Sequence, residues 1–200
     1  MAPSETAPAP SGNAAALRHR EIAGRFAALT RATTDWDAPS PVADWTARDV
    51  VRHLVEWLPG FVASGTGLVL AAGPSPDDDP VAAWQVHADA VQGLLDDPGT
   101  AATVLTNPHL GQLPLPEAID RFYTTDVFLH LWDLARSTGQ DDRLDPDVCA
   151  GLLAEMRPME ALIRGSGQYG PAVPVPETAD PQSRLLGFIG RDPTWTPARR

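Results

Sequence analysis

The sequence PEAIDRFYTTDVFLHLWDLARST, residues 116–138, decides the fold. Its apolar residues recur with the period of about 3.6 that is typical of an α-helix. Pro116 suits the first turn, the acidic residues Glu117 and Asp120 follow it, and Gly139 is typical of the position just beyond a helix. Because the residues at both ends are typical of helix ends and the residues between them have the helical period, we predict one long helix over 116–138.

One face of this helix combines apolar and ionisable side chains. At about 100° per residue, Ile119, Phe122 and Leu129 mark the buried face. Asp126 and His130, four residues apart, point the same way. A buried carboxylate or imidazole must be hydrogen-bonded, paired or metal-bound, because an unpaired buried charge is very costly. The pair is therefore either a side-chain hydrogen bond or one half of a site for a divalent metal.

A third ligand would have to come from another helix, and His53 is the candidate. It lies at the boundary between the apolar arc of a predicted helix, which includes Val50 and Leu54, and the solvent arc. By itself this position also suits a half-exposed histidine of an amphipathic helix. Together, His53, Asp126 and His130 form a set of two histidines and one carboxylate, which leaves open positions on zinc, iron or nickel.

Other ionisable side chains are less well placed for metal binding. Asp133, one turn beyond the pair, would either orient a ligand or form a hydrogen bond to a helix end or to Trp45. His19 lies among charged residues and is expected on the solvent face. His87 has no acidic residue four positions later, and His109 lies in a loop from which it could reach the mouth of a helical bundle.

Helical patterns dominate the rest of the chain. The segment 1–13 is predicted to be a disordered tail, because its proline and small polar residues cannot bury enough apolar surface to offset the ordering entropy. The residues 14–200 are assigned to one domain. Helices are predicted over 14–34, 47–57 or a little beyond, 81–95, 116–138, 145–163 and 182–189. A capping pair is predicted at Thr46 and Asp49, a kink or a break at both Pro59 and Pro158, and a short extended piece at 102–105. The expected fold is all-α, an antiparallel four-helix bundle with extra C-terminal helical segments.

Charge and composition limit the classes of function. The net charge is −11, with 26 acidic against 15 basic residues, so a nucleic-acid partner is not expected. The apolar stretches are too short to cross a membrane, and the first residues lack the pattern of a secretory signal. The single cysteine, Cys149, excludes an intrachain disulfide and a CxxC metal site. We expect a cytoplasmic protein that acts on a small molecule.

Three segments resemble the DinB-like superfamily, and within it the branch that contains the N-terminal domain of mycothiol-dependent maleylpyruvate isomerase. They are DVVRHLVEW at 49–57, preceded by PVADWT at 41–46, then DVFLHLWDLAR at 126–136, and DPQSRLLGFIGRDP at 180–193, which resembles the tail of a single-domain subgroup. The resemblance implies a bundle that holds one divalent metal, usually zinc, on His53, Asp126 and His130. The family often has glutamate at the position of Asp126. Aspartate is one methylene shorter, so either a metal lies closer to this helix or its binding is weaker.

The resemblance implies a transferase or isomerase that uses a low-molecular-weight thiol, mycothiol, as co-substrate and acts on a small electrophilic molecule. A metal-dependent hydrolase would use the same ligands, with water in the open position. A third interpretation is a non-enzymatic metal-binding or dimerisation module, in which Trp57 and Trp84 would serve a homodimer interface. Cys149 is given no catalytic role.

Overall fold

The described part of the chain is helical, with one short hairpin, so the predicted all-α class is confirmed. The structure is a computed structural model and describes residues 11–165 and 167–197. Its internal contacts divide the chain into two compact units. One comprises the described residues up to Thr33 together with Val51–His130, and the other comprises Thr34–Val50 and the described residues from Leu131 onward. None of the helices in the described ranges is long and apolar enough to cross a membrane.

The first unit contains the helices α1 to α6, a π-helical segment and the hairpin. In chain order, its elements are α1 (Ser11–Ala32), α2 (Ala47–Thr66, entering this unit at Val51), α3 (Pro80–Asp96), α4 (Pro98–Ala101), β1 (Val104–Asn107), β2 (Gly111–Pro114), α5 (Leu115–Ala118), a π-helical segment (Ile119–Thr124) and α6 (Thr125–Thr138, leaving this unit after His130).

Two helix boundaries differ from the predictions. The helix α1 begins at Ser11, three residues earlier than expected, and residues 1–10 of the predicted tail lie outside the described residues. The helix α2 continues through Pro59 to Thr66 and does not stop near Trp57. Proline removes one backbone donor from a helix but does not by itself end it when the following turns are held by packing. Here Leu58 and Val62, on either side of the proline, are fully buried.

The helices α1 and α3 run antiparallel and share much of the core. Early in α1, Nδ1 of His19 donates a hydrogen bond to Oε1 of Gln92 near the end of α3 (2.8 Å). Later in α1, Phe26 packs on Trp84 near the start of α3, with ring centroids 4.4 Å apart. The prediction of a solvent-exposed His19 is wrong, because α3 covers this side chain and leaves it 1% exposed. Trp84 is fully buried and cannot serve the dimer interface considered above.

The π-helical segment changes the register of the long helix at 115–138. A π-helix has more residues per turn than an α-helix, so a face drawn at a constant angle does not pass through it unchanged. Ile119 and Tyr123 are fully buried, whereas Phe122, expected on the buried face, is half-exposed. Arg18 supports the segment from α1, since its Nη1 donates to the carboxylate (2.8 Å) and the backbone carbonyl (3.3 Å) of Asp120.

The second unit contains the end of α6 and the C-terminal helices. These are α7 (Pro146–Met156), a 3-10 turn (Arg157–Met159), α8 (Glu160–Gly165) and α9 (Pro181–Phe188). The predicted capping pair also lies in this unit, where Oδ2 of Asp49 accepts from the amide (2.8 Å) and the hydroxyl (2.7 Å) of Thr46. Gly139 follows α6 with a φ of +69°, as predicted for the residue that ends this helix.

The helix α9 lies directly on the preceding extended segment at Gly187. A Cβ atom there would lie 2.7 Å from the carbonyl oxygen of Val173 and would also overlap a methyl group of Val175. We expect Gly187→Ala to lower the free energy of unfolding by roughly 1–3 kcal/mol, the usual cost of overpacking, in a urea titration. Gly151→Ala, on the exposed side of α7 with open space around it, is the control. An equal loss in both variants would contradict the close approach at α9, since alanine favours an exposed helix interior.

Candidate metal centre

The three residues predicted as metal ligands come together in the first unit. The helix α2 runs antiparallel to the long helix, so His53 lies beside Asp126 while Phe61, later in α2, lies beside Phe122, earlier in the long helix (ring centroids 6.2 Å apart). His130 follows Asp126 by one turn of α6. One potential ligand atom from each of His53, Asp126 and His130 lies within 4.8 Å of the other two.

Asp126 lies at the centre of this cluster. Its Oδ2 is 3.0 Å from Nε2 of His53, and its Oδ1 is 3.5 Å from Nε2 of His130. The two imidazole rings face each other edge to face, with centroids 5.0 Å apart. Nε1 of Trp57, one turn after His53 in α2, donates a further hydrogen bond to Oδ2 of Asp126 (3.1 Å). Each carboxylate oxygen is therefore directed at one imidazole.

The carboxylate of Asp126 carries a negative charge although it is largely buried. Burial raises the pKa of Asp126, but the opposing effects of His130, of the hydrogen bond and charge of His53, and of the Trp57 donor are larger together, so the pKa is lowered overall. The side chain of His130 is 6% exposed, that of Asp126 20% and that of His53 33%. The site is thus closed on the side of His130 and open on the side of His53.

The chemistry and spacing of these groups fit a divalent metal. Two imidazole nitrogens and a carboxylate oxygen are a ligand set found in catalytic zinc and non-haem iron sites. Ligand atoms about 2.0–2.2 Å from one ion lie less than about 4.4 Å from each other. Small side-chain rotations would therefore bring the three ligand atoms of this cluster to distances that suit one bound ion. No fourth histidine, cysteine or carboxylate joins the cluster within the described ranges. The same distances also suit a hydrogen-bonded triad, so metal binding stays a prediction.

The other side chains considered from the sequence lie elsewhere. In the second unit, both carboxylate oxygens of Asp133 accept hydrogen bonds from Arg191 (2.9 and 3.1 Å). His109 is exposed in the hairpin turn, where its backbone amide donates to Oδ1 of Asn107 (2.9 Å). His87 is buried in α3.

Two features of the site were not found from the sequence. Trp57 was considered only for a homodimer interface, although its position one turn after His53 could have suggested a donor to the same carboxylate. Phe61 was placed beyond the predicted end of that helix. In the structure Trp57, Phe61 and Phe122 are half-exposed, with Trp57 and Phe61 5.8 Å apart, and form an aromatic strip that begins at Asp126.

Residues 18–135 match the family model described as the mycothiol maleylpyruvate isomerase N-terminal domain. The chain belongs to this family. It is also 31% identical over 182 residues to uncharacterized proteins of Mycobacterium tuberculosis strains CDC 1551 / Oshkosh and ATCC 25618 / H37Rv, and the alignments cover 88% of this chain and 96% of each relative. No solved structure matches the chain significantly. The segment that matches the family contains His53, Asp126 and His130, so the predicted resemblance is confirmed while the metal and its chemistry remain to be tested.

Proposed function

We propose that this protein binds one divalent metal on His53, Asp126 and His130 and uses mycothiol in a transfer or isomerisation reaction on a small electrophilic molecule. The observation that carries the proposal is the approach of these three ligand groups within 4.8 Å, inside the segment that matches a mycothiol-related family. Zinc is the first candidate for the metal, and iron and nickel suit the same ligands.

The chain's own groups prepare the site for such a metal. The ionised carboxylate of Asp126 brings one negative charge, and Trp57 fixes the orientation of that carboxylate through its indole N–H. A bound divalent metal would supply the positive charge that lowers the pKa of a thiol brought to it, so that the thiol reacts as a thiolate. The side chain of His53 is 33% exposed, so we propose that the thiol and the second molecule reach the cluster from this side.

The protein does not provide a reactive thiol from its described residues. Cys149 is fully buried in α7, and burial, helped by Asp145 and Asp180, raises its pKa to about 12. A thiol with this pKa is almost entirely protonated near pH 7 and is a poor nucleophile. The nucleophilic sulfur therefore has to arrive from solution, as a mycothiol-dependent reaction requires. The cytoplasm, where small thiols are kept reduced, is the matching compartment.

The aromatic strip supports a proposal for the chemical class of the substrate that reacts with the thiol. Trp57, Phe61 and Phe122 offer half-exposed ring faces that continue from the carboxylate of Asp126. Apolar ring faces bind organic groups by excluding water and do not attract free inorganic anions. We therefore propose a small organic electrophile as the substrate.

Thiol consumption tests this proposal. The zinc-loaded protein is incubated with mycothiol and an activated aryl chloride, and loss of free thiol is followed. We expect turnover that needs both mycothiol and metal, falls by at least about 100-fold in Asp126→Asn, and is unchanged in Cys149→Ala. Hydrolysis of ester substrates without any thiol would favour the hydrolase instead. A protein that binds metal but consumes no thiol with a panel of electrophiles would contradict the thiol-dependent role.

A further inference from the structure

One arginine of α1 bridges the π-helical segment that precedes the metal cluster. Nη1 of Arg18 donates to Oδ1 (2.8 Å) and to the backbone carbonyl (3.3 Å) of Asp120. Both terminal nitrogens of the same guanidinium also donate to Oγ1 of Thr125, each over 3.4 Å. Arg18 therefore connects a residue in the first turn of the segment with the residue that directly follows the segment.

These contacts depend on the wide turn of a π-helix. Asp120 and Thr125 are five positions apart, which is the spacing of the π-helical hydrogen bond, and the amide of Thr125 donates to the carbonyl of Asp120. In an α-helix, two side chains five positions apart point about 140° away from each other, because each turn takes about 3.6 residues. One guanidinium would not face both of them. Arg18 therefore stabilises the π-helical turn relative to the α-helical one.

The π-helical segment contacts the metal cluster in two ways. Its end fixes the direction of the next residues, since Asp126 directly follows Thr125 and directs one carboxylate oxygen at each imidazole. Within the segment, the fully buried ring of Tyr123 packs on Trp57, with centroids 5.7 Å apart. Trp57 in turn donates its indole N–H to Oδ2 of Asp126. The conformation of the segment thus affects both the carboxylate and its indole donor.

The packing on the N-terminal side makes the register of this segment important. Leu115, Ala118 and Ile119 are fully buried, so the chain that enters the segment is fixed about its own axis. A change from π-helical to α-helical hydrogen bonding shifts the register by one residue, which turns the following residues by about 100°. Such a turn would direct the carboxylate of Asp126 away from His53.

We propose that Arg18 is a positioning residue for the metal cluster, which holds the π-helical turn and thereby directs the carboxylate of Asp126 at His53 and His130. This inference rests on the metal site of the proposed function. The orientation of the carboxylate, however, can be tested in the protein without metal.

The indole N–H signal of Trp57 reports this orientation in proton–nitrogen NMR spectra of the isotope-labelled, metal-free protein. Trp57→Phe assigns the signal, and Asp126→Ala gives its position without the acceptor. We expect the signal in Arg18→Gln to move from its wild-type position toward that in Asp126→Ala. Arg20→Gln is the matched control, because Arg20 is an exposed residue of the same helix that pairs with Asp96 (2.7 and 2.9 Å), and its signal should stay in place.

The zinc affinity separates positioning from simple charge, because the two predict opposite signs. Removal of a cation reduces its repulsion of a bound metal, so charge alone predicts equal or tighter zinc binding in Arg18→Gln. Misdirection of Asp126 predicts binding weaker by about 10-fold, the low end of the range for residues that support a ligand. Competition against a chelator measures the affinity. The visible absorption of the cobalt-loaded protein, which depends on the coordination geometry, should change in Arg18→Gln and not in Arg20→Gln.

Arg18→Lys provides a second variant that keeps the charge. Lysine can still pair with Asp120, but it lacks the planar fork that reaches Thr125 as well, so the Trp57 signal and the zinc affinity should change in the same direction as in Arg18→Gln. This variant decides if Arg18→Gln does not fold. The proposal is overturned if the Trp57 signal stays at its wild-type position in both variants, or if zinc binds to them as tightly as to the wild type. A wild type that bound no metal would contradict the proposed function instead, and the Trp57 signal would still decide the role of Arg18.

Discussion

Asp126→Asn is expected to weaken the binding of a divalent metal by at least about 100-fold, because removing even a residue that only supports a ligand typically costs 10–100-fold. Asparagine has nearly the shape of aspartate and can still accept the hydrogen bond of Trp57, but it lacks the negative charge that lies 3.0 and 3.5 Å from the two imidazoles. A competition titration against a coloured chelator measures the affinity.

Asp89→Asn is the matched control for this change. Asp89 is an exposed residue of α3 whose carboxylate accepts from Gln85 (3.0 Å), and it is not part of the cluster. Its replacement alters the net charge of the protein by the same amount and should leave the metal affinity unchanged. If both variants bound the metal as tightly as the wild type, Asp126 would be only the centre of a hydrogen-bonded triad.

Arg191→Met is expected to lower the free energy of unfolding by roughly 3–5 kcal/mol, the usual cost of removing one partner of a buried ion pair. Both guanidinium contacts to Asp133 are short, at 2.9 and 3.1 Å, and the carboxylate is 1% exposed. Without the arginine, a buried negative charge loses the cation that offsets its desolvation. Urea denaturation measures the loss.

Two further variants test the physical reason. Arg143→Met removes an exposed pair with Asp141 (2.7 Å) and should leave the stability unchanged, since water already screens exposed ion pairs. In the double variant Asp133→Leu with Arg191→Met, the buried charge is gone as well, and most of the loss should be recovered. If Arg191→Met were no less stable than Arg143→Met, the buried pair would not contribute to the fold.

In the long helix, some features could be predicted from neighbouring residues in the sequence and others could not. Its end at Thr138 and the positive φ of Gly139 follow from chemistry within a few residues, and so does the shared face of Asp126 and His130. The preceding π-helical segment has no such local signal. It is supported by Arg18, which is about a hundred residues away in sequence and donates to Asp120. This is why the exposure of Phe122 was not predicted.

The sequence also did not predict which polar side chains are buried or which partners they have. The charged neighbours of His19 suggested solvent, but the packing of α3 on α1 buries it and Gln92 takes up its hydrogen bond. Asp133 is 1% exposed, and its partner Arg191 belongs to a distant segment that no periodicity connects with it. His53 was assigned to the metal cluster on helical position and family resemblance together, because its position alone suits a half-exposed histidine equally well.

Elemental analysis of the purified protein tests the central claim most directly. The wild type and the single variants His53→Ala and His130→Ala are prepared without chelators, and zinc, iron and nickel are measured against protein concentration. The account predicts close to one equivalent of a divalent metal in the wild type and little in either variant, with each variant still folded by circular dichroism. Full metal content in both variants would contradict the assignment of the metal to His53, Asp126 and His130.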